Sequence, residues 1–351
     1  MDVIDISEKE KWNHVLQNYD KWDIYYDNAY ADICRSVDGN RTVLFSFQGR
    51  QSAMCYPVII QDVADADVFS GRIPRGEYLD METPYGYGGP LCHGDVGQDL
   101  EAFGKELGEW CKKEGIVSQF VRFHPLLDNV RQTAGFFDQT AYMHHTIVID
   151  TTSEDLIFSN MNSKNRNMVR KAEKNGVEIR IDKDLERLDE FRYIYEQTMD
   201  THQADSFYYF PDRYYDCIRD RFLDHTVLFY ALYENQVISS AMFFYNATYM
   251  HYHLSGTLSA YRHLASMNLL LYEAARFANR QGIGKLHLGG GMSENDSLYG
   301  FKKQFNRNGE MDFSIGRTIF LPEKYEKLLE VRKMLDKDFD CNNSRMIQYR
   351  K

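Results

Sequence analysis

The clearest hydrophobic pattern in the chain lies at residues 265–281. Its apolar positions recur at spacings of three and four residues: Met267, Leu270, Leu271, Ala274, Ala275 and Ala278. This spacing predicts an amphipathic helix that buries one face. Gly282 follows the last apolar position and is a typical helix end.

Two strands are predicted on either side of this helix. Residues 248–257 alternate between polar and apolar, which predicts a strand with His251, His253 and Ser255 on one face. Residues 285–288 form a short second strand before Gly289. A strand, a helix and a second strand predict a right-handed crossover with two parallel strands. Anionic ligands bind such units where the helix begins, because the first backbone N–H groups are unpaired there.

The same order of elements is predicted in the first half of the chain. A hairpin is predicted at 42–47 and 53–60, a Gly- and Pro-rich loop at 83–90, a helix at 96–113, and strands at 119–124 and 144–150. The second half continues with a strand at 177–181, a helix at 185–201 and a hairpin at 227–245. Strands at 311–315 and 318–321 and a helix at 322–335 follow. We therefore expect two structurally related halves.

Composition narrows the class of protein. The chain has 351 residues, of which 43% are hydrophobic, so it is long enough for two folded domains. Its formal charge of −11 argues against a general nucleic-acid binder. The six cysteines include no C-x-x-C pair, and the N-terminus lacks the features of a signal peptide. No apolar run is long enough for an integral membrane segment, so we expect a soluble, cytoplasmic protein.

One predicted helix is strongly basic. Residues 163–175 carry five Lys or Arg against one Glu, and the cations share one face. Such a face is often a solvated surface. Because the chain is acidic as a whole, this face is also a candidate for binding a tRNA acceptor stem or a nucleotide diphosphate through Arg166, Arg170 and Lys171.

Another candidate site lies at residues 298–305. If this segment is a short helix, Lys302 shares the buried face with Leu298, Phe301 and Phe305, whereas Lys303 does not. A buried ammonium requires a partner such as a phosphate or a developing oxyanion. The alternative is a lysine whose stem packs while its ammonium reaches water.

Several motifs resemble the FemAB branch of the GNAT acyltransferase superfamily, which transfers amino acids onto peptidoglycan precursors. They are the runs YHLSGT at 252–257, NLLL at 268–271 and LYGFK at 298–302. The resemblance implies an α/β (α+β) fold of tandem GNAT-like domains, each a mixed twisted sheet flanked by helices. The first domain is expected at residues 1–150 plus 322–351, and the second, with the donor and catalytic segment, at 151–321.

The resemblance also implies roles for particular residues. Phe301 and Lys302 match a contact to substrate phosphate and to the reacting groups. Tyr299 lies where many GNAT enzymes hold a tyrosine that protonates the leaving thiolate, although a packed aromatic is the alternative. The loop with Tyr85, Tyr87 and Gly88 resembles one that borders the acceptor cleft, where the tyrosines can stack on substrate.

Residues beside the predicted crossover complete the candidate site. Arg262 precedes the helix and can bind a phosphate together with the first amides of the helix. His253 is a candidate general base, and Ser255 a candidate substrate contact. His251 and His253 would suit a metal pair, but no third ligand is near in sequence, so no metal is expected. Core histidines are the default interpretation.

These features favour transfer of an activated acyl group, from aminoacyl-tRNA as the preferred donor, to an amine of a nucleotide-linked or lipid-linked cell-envelope precursor. The first alternative is an acyl-CoA-dependent N-acyltransferase that acts on an amino sugar or polysaccharide precursor. The second is a non-catalytic nucleotide- or RNA-binding module. No tightly bound cofactor is expected, and the oligomeric state stays open. The sequence contains neither a G-x-S-x-G motif nor a P-loop.

Overall fold

The computed structural model describes residues 1–350 and has an α/β architecture. Its strands are, in chain order, β1 (Asp2–Asp5), β2 (Arg41–Gln48), β3 (Ser52–Asp62), β4 (Leu79–Glu82), β5 (Leu91–Gly94), β6 (Ile116–Arg122), β7 (Gln139–Asp150), β8 (Glu178–Asp182), β9 (Thr226–Tyr233), β10 (Gln236–Tyr245), β11 (Tyr249–Thr257), β12 (Lys285–Gly289) and β13 (Glu310–Ile319). Its helices are α1 (Lys9–Leu16), α2 (Asn28–Asp38), α3 (Gly97–Glu114), α4 (Asn129–Gln132), α5 (Glu154–Asn160), α6 (Ser163–Lys174), α7 (Leu188–His202), α8 (Asp212–Arg221), α9 (Ser266–Arg280), α10 (Ser297–Lys303) and α11 (Pro322–Leu335).

The chain divides into two compact units. Unit 1 comprises Met1–Met143 and Phe313–Lys351, and unit 2 comprises His144–Asp312. Sequence analysis placed these boundaries at the ends of strands, after residues 150 and 321. The contacts instead divide the chain inside the two long strands β7 and β13.

Unit 1 contains a mixed sheet flanked by helices. Its strands follow the order β1, β2, β3, β4, β6 and the unit 1 part of β13, and β5 pairs with β3. The pair β4 and β6 is parallel, whereas the other pairs are antiparallel. Helix α3 lies in the connection between the parallel strands and buries Phe103, Leu107 and Cys111. The unit therefore includes one crossover.

Unit 2 repeats this arrangement of elements. Its strand order is β7, β12, β11, β10, β9 and β8. Strands β11 and β12 are parallel and are connected by α9, whereas the other pairs are antiparallel. The core lies where α9 covers the sheet, with Leu270, Leu271 and Ala274 completely buried. The predicted apolar stripe of 265–281 is thus a core face. Helix α7 packs against β10 and β11.

The predicted α/β fold with mixed sheets flanked by helices is confirmed. The predicted helices at 96–113, 265–281 and 322–335 correspond to α3, α9 and α11 within two residues at each end. The two strands predicted at 311–315 and 318–321 form the single strand β13. Within residues 1–350, no helix combines the length and apolar character needed to cross a bilayer.

Candidate functional site

Unit 2 contains a cavity of about 410 Å³ beside the C-terminal half of β11. Four structural elements contribute its walls: β11, the turn into α9, the end of α7, and α10. The lining residues are Thr198, His202, Tyr252, Ser255, Gly256, Thr257, Arg262, Ala265, Ser266, Met267, Asn268 and Phe301. Of the residues predicted for the site, Ser255, Arg262 and Phe301 are therefore brought together.

The cavity lies where two parallel strands separate. Pairing between β11 and β12 covers only Tyr249–His251 and Lys285–His287. Beyond His251, β11 continues to Thr257 and pairs with β10 on its other side. In the part of the chain that the structure describes, no strand pairs with the second edge of this extension. Apart from Thr257, whose N–H donates to Oγ1 of Thr198 at 2.9 Å, the backbone N–H and C=O groups on this edge are therefore available to a ligand in the cavity.

The first turn of α9 forms a second wall. Ala265 has a left-handed conformation with φ of 57° and provides no side-chain cap for the helix. The first N–H groups of an uncapped helix carry partial positive charge. A chain of hydroxyls fixes this turn, because Ser239 Oγ lies 2.6 Å from Ser266 Oγ and 3.0 Å from Thr257 Oγ1. The helix start is thereby tied to the ends of β10 and β11.

Arg262 places a full positive charge beside that helix start. Its Nη2 lies 3.2 Å from Nε2 of His202, which also lines the cavity. Among residues 1–350, Arg262 makes no ion pair with a carboxylate, and its side chain is exposed. An arginine that is not neutralised, next to helix N–H groups, suits an anion such as a phosphate.

Tyr252 is the phenol in the cavity wall. Its hydroxyl is hydrogen-bonded to the hydroxyl of Ser255 and lies 3.7 Å from Sδ of Met267. Burial raises the pKa of Tyr252 to about 12, although the hydrogen bond to Ser255 opposes the increase. The phenol therefore stays protonated at neutral pH, and it can donate a proton. Sequence analysis did not identify Tyr252 as a site residue.

Lys302 is buried, as predicted, with 7% of its surface exposed. Its Nζ donates to the backbone oxygen of Gly290 at 2.7 Å and lies 5.7 Å from the ring centroid of Tyr252. Burial lowers the pKa of Lys302 to about 8, against an opposing contribution from Asp296. The side chain of Lys303 is 42% exposed, which confirms the predicted difference between the two lysines. The proposed substrate contact of Lys302 stays a prediction.

The prediction that His251, His253 and Ser255 share one face of β11 is wrong, because the strand contains a bulge. Met242 pairs with Leu254 and Phe243 with Tyr252, so His253 is an extra residue. The Nε2 of His253 lies 2.5 Å from Oη of Tyr214. Burial, followed by the nearby His251, lowers the pKa of His253 to about 3. A ring that stays neutral to such low pH is a weak proton acceptor, which disfavours the predicted role as general base.

Tyr299 lies outside the cavity wall. Its hydroxyl is hydrogen-bonded to Oε1 of Glu310, and Nζ of Lys303 lies 3.4 Å from it. Burial and the Glu310 contact raise the pKa of Tyr299. Because this hydroxyl is held by an acid outside the cavity, the geometry favours Tyr252 over Tyr299 as a proton donor.

Helix α6 contacts the cavity wall through the buried Asn165. The amide Nδ2 of Asn268 in the cavity wall donates to Oδ1 of Asn165 in α6 at 2.7 Å. The guanidinium groups of Arg166 and Arg170 lie 5.8 and 5.4 Å from the ring centroid of Phe158. Lys171 is exposed. Their binding to a polyanion stays a prediction.

The predicted acceptor loop belongs to unit 1. The ring of Tyr87 is buried against Tyr25 and Phe313, with centroid distances of 5.7 and 5.5 Å. Tyr85 is 37% exposed. Gly88 donates its backbone N–H to Arg122 O at 2.7 Å. Tyr87 is thus a core aromatic, and Tyr85 is the tyrosine of this loop with a ring accessible for stacking.

Thr198, His202 and Asn268 are further cavity residues that sequence analysis did not identify. Asn268 is the fourth residue of the helix predicted at 265–281, and a site at the helix start would have included it. Thr198 and His202 come from α7, and no local pattern indicates that α7 packs on β11.

Comparisons with known proteins agree with this geometry. Residues 159–303 match a family model described as an acetyltransferase (GNAT) domain. This segment includes every residue that lines the cavity. No curated protein matches the sequence.

Solved structures share the fold over almost the whole chain. The structure of FemX superposes with a TM-score of 0.65 at 14% identity, covering 93% of this chain and 99% of FemX. The C-terminal domain of a putative lysylphosphatidylglycerol synthetase from Agrobacterium fabrum gives 0.56 at 12% identity, covering 92% and 97%. A protein of unknown function from Bacteroides thetaiotaomicron gives 0.59 at 10% identity, covering 89% and 97%.

Residues 159–303 are therefore similar to a GNAT acetyltransferase domain, and the protein is an acyltransferase. At the level of fold the chain is similar to FemX, in agreement with the resemblance to the FemAB branch.

Proposed function

We propose that the protein transfers an activated acyl or aminoacyl group from a phosphate-bearing carrier to an amine of a cell-envelope precursor. The carrier occupies the unit 2 cavity. The observation that carries this proposal is the meeting of an uncapped helix start, an arginine without a carboxylate partner and an unpaired strand edge in one cavity.

The two ends of the cavity suit the two ends of such a carrier. Tyr252 and Thr257 lie at opposite ends of the cavity's strand wall. Arg262 and the α9 amides bind the phosphate at one end. Beside Lys302, Tyr252 and Phe301 enclose the acyl group. An extended arm that lies along β11 connects the two.

In the reaction, the acceptor nitrogen bonds to the carbonyl carbon, and the bond from that carbon to the carrier's sulfur or oxygen breaks. The nitrogen releases a proton to solvent, and the leaving group gains one. Tyr252 is positioned to donate that proton, since its phenol is protonated and faces the cavity. Lys302 stabilises negative charge beside Tyr252, because its Nζ lies 5.7 Å from that ring centroid.

Two carriers share this chemistry, aminoacyl-tRNA and acyl-CoA. Aminoacyl-tRNA is supported by α6, whose buried Asn165 is hydrogen-bonded to the cavity wall while Arg170 and Lys171 are exposed. The envelope precursor as acceptor is supported by the FemAB-like motifs together with the FemX-like fold.

Thermal-shift measurements with acetyl-CoA, charged tRNA and a UDP-linked muropeptide test the proposal, because a ligand of the folded state raises Tm. We expect an increase with charged tRNA. Arg262→Met should weaken carrier binding about tenfold, as expected for a lost charged hydrogen bond. Arg280→Met at the other end of α9 is the matched control.

An increase in Tm with acetyl-CoA and none with charged tRNA would identify acyl-CoA as the donor, bound at the same proposed site. No increase with either carrier, or equal weakening by the two arginine variants, would contradict the proposal.

A further inference from the structure

One residue of β11 is inserted in its register with β10. Phe243 of β10 pairs with Tyr252, and the preceding Met242 pairs with Leu254, so His253 is inserted between two paired positions. An inserted residue interrupts the alternation of side chains between the two faces of a sheet.

This interruption changes which side chains meet in the cavity. Tyr252 and Ser255 are three positions apart, so a regular strand would place them on opposite faces. In the structure both line the cavity, and their hydroxyls are hydrogen-bonded to each other. The extra residue accounts for this, because it shifts the side-chain alternation by one position between Tyr252 and Ser255.

The side chain of the extra residue contacts Tyr214 and Phe244. The Nε2 of His253 lies 2.5 Å from Oη of Tyr214, and its ring stacks on Phe244 with centroids 4.1 Å apart. Tyr214 is itself fixed in α8, since it is 3% exposed and stacks on Phe210 at 4.3 Å. Phe244 belongs to the partner strand β10. The inserted residue is thus connected to a helix and to the neighbouring strand.

We propose that Tyr214 and His253 are positioning residues, whose hydrogen bond holds the β11 bulge and thereby keeps Tyr252 and Ser255 side by side in the cavity. His253 acts through the strand, and it exchanges no proton with substrate. The catalytic part of this inference rests on the proposed acyl transfer, whereas the structural part does not.

The chain offers a matched control for this pair. Tyr215 is adjacent to Tyr214 in α8 and is also buried, but its hydroxyl has no hydrogen-bond partner within residues 1–350. Tyr214→Phe and Tyr215→Phe therefore remove the same atom from neighbouring sites. Only the first substitution removes a bond to the bulge.

The first measurement needs no substrate. With 3-fluorotyrosine at position 252, the ¹⁹F spectrum reports the surroundings of that ring. We expect Tyr214→Phe to shift or broaden the signal, and Tyr215→Phe to leave it as in the wild type. His253→Gln, which keeps a hydrogen-bonding group, should preserve more of the wild-type signal than His253→Ala.

The second measurement uses turnover with whichever carrier binds. Tyr214→Phe should lower kcat about tenfold with little change in KM for the carrier, because a small displacement affects the reacting end more than the phosphate end. A wild-type ¹⁹F signal and wild-type kcat in Tyr214→Phe would overturn the inference. If neither carrier binds the wild type, the proposed function fails, while the ¹⁹F comparison still decides the structural part.

Discussion

The helix starts of the two crossovers carry opposite charge. In unit 1, Asp95 accepts a hydrogen bond from the N–H of Gly97 at 3.2 Å, and Asp99 stands in the first turn of α3. In unit 2, the first turn of α9 has no acidic residue and no side-chain cap, and Arg262 lies next to it.

This difference indicates why one crossover suits an anion and the other does not. The carboxylate of Asp99 in unit 1 accepts from Gln51 N at 3.1 Å and Ser52 Oγ at 3.0 Å, so the helix start is joined to the β2–β3 turn. Negative charge there stabilises α3 and repels a phosphate. The same topology thus serves packing in unit 1 and, under the proposed function, carrier binding in unit 2.

The largest expected effect comes from the close contact between α7 and β11. A Cβ at Gly256 would lie 2.5 Å from the backbone oxygen of Ile194 and 2.7 Å from Oγ1 of Thr198. Gly256→Ala should therefore displace α7, destabilise the protein by about 3 kcal/mol and abolish carrier binding, as measured by urea unfolding and thermal shift.

Gly108 of α3 is the control in unit 1, because an added Cβ there meets nothing within 4 Å. Gly108→Ala should stabilise the protein by about 0.5–1 kcal/mol. Equal stability changes in the two variants would contradict the packing account.

The two units also differ in the partners of their buried cationic side chains. Arg350 in unit 1 pairs with Asp80 at 2.9 Å, whereas Lys302 in unit 2 donates to a backbone oxygen. Because burial lowers the pKa of Lys302 from 10.5 to about 8, folding is penalised by the buried ammonium below pH 8. Lys302→Met should therefore raise stability by about 2 kcal/mol at pH 7, net of the lost hydrogen bond, while lowering turnover.

The stability gained by Lys302→Met should decrease as pH rises from 8 towards 10.5. In this range the folded protein releases the proton of Lys302, whereas the unfolded chain keeps it. Lys303→Met, which removes an ion pair to Glu310, should give no gain at any pH. A stability gain from Lys302→Met that is independent of pH would refute this explanation.

The smallest effect is expected at the acidic helix start of unit 1. Hydrogen bonds from the backbone N–H groups of Gln51 and Arg50 lower the pKa of Asp99 below 3.8. A lowered folded pKa contributes stability at neutral pH that is lost as pH falls through that pKa. Asp99→Asn should therefore lower Tm slightly at pH 7, show no difference in strong acid, and leave carrier binding unchanged. Weaker carrier binding in this variant would place the carrier in unit 1.

Local patterns predicted most of unit 2 but not the arrangement of the cavity wall. The spacing of apolar residues predicted α9, and the alternation at 248–257 predicted β11. Alternation alone predicted Ser255 on the same strand face as His253. Because of the bulge, the side chain of Ser255 instead lies beside that of Tyr252. His253 at the bulge contacts Tyr214 and Phe244, which are distant from it in sequence, so no local pattern could reveal this arrangement.

The central claim is that the carrier's phosphate binds at the start of α9 and not at the start of α3. Backbone ¹H–¹⁵N chemical shifts of the deuterated protein, followed during separate titrations with charged tRNA and acetyl-CoA, test it most directly. We expect one carrier to shift the amide signals of Ser266, Met267 and Asn268 while those of Gly97 to Leu100 stay unchanged. Shifts confined to the start of α3, or no shifts with either carrier, would contradict it.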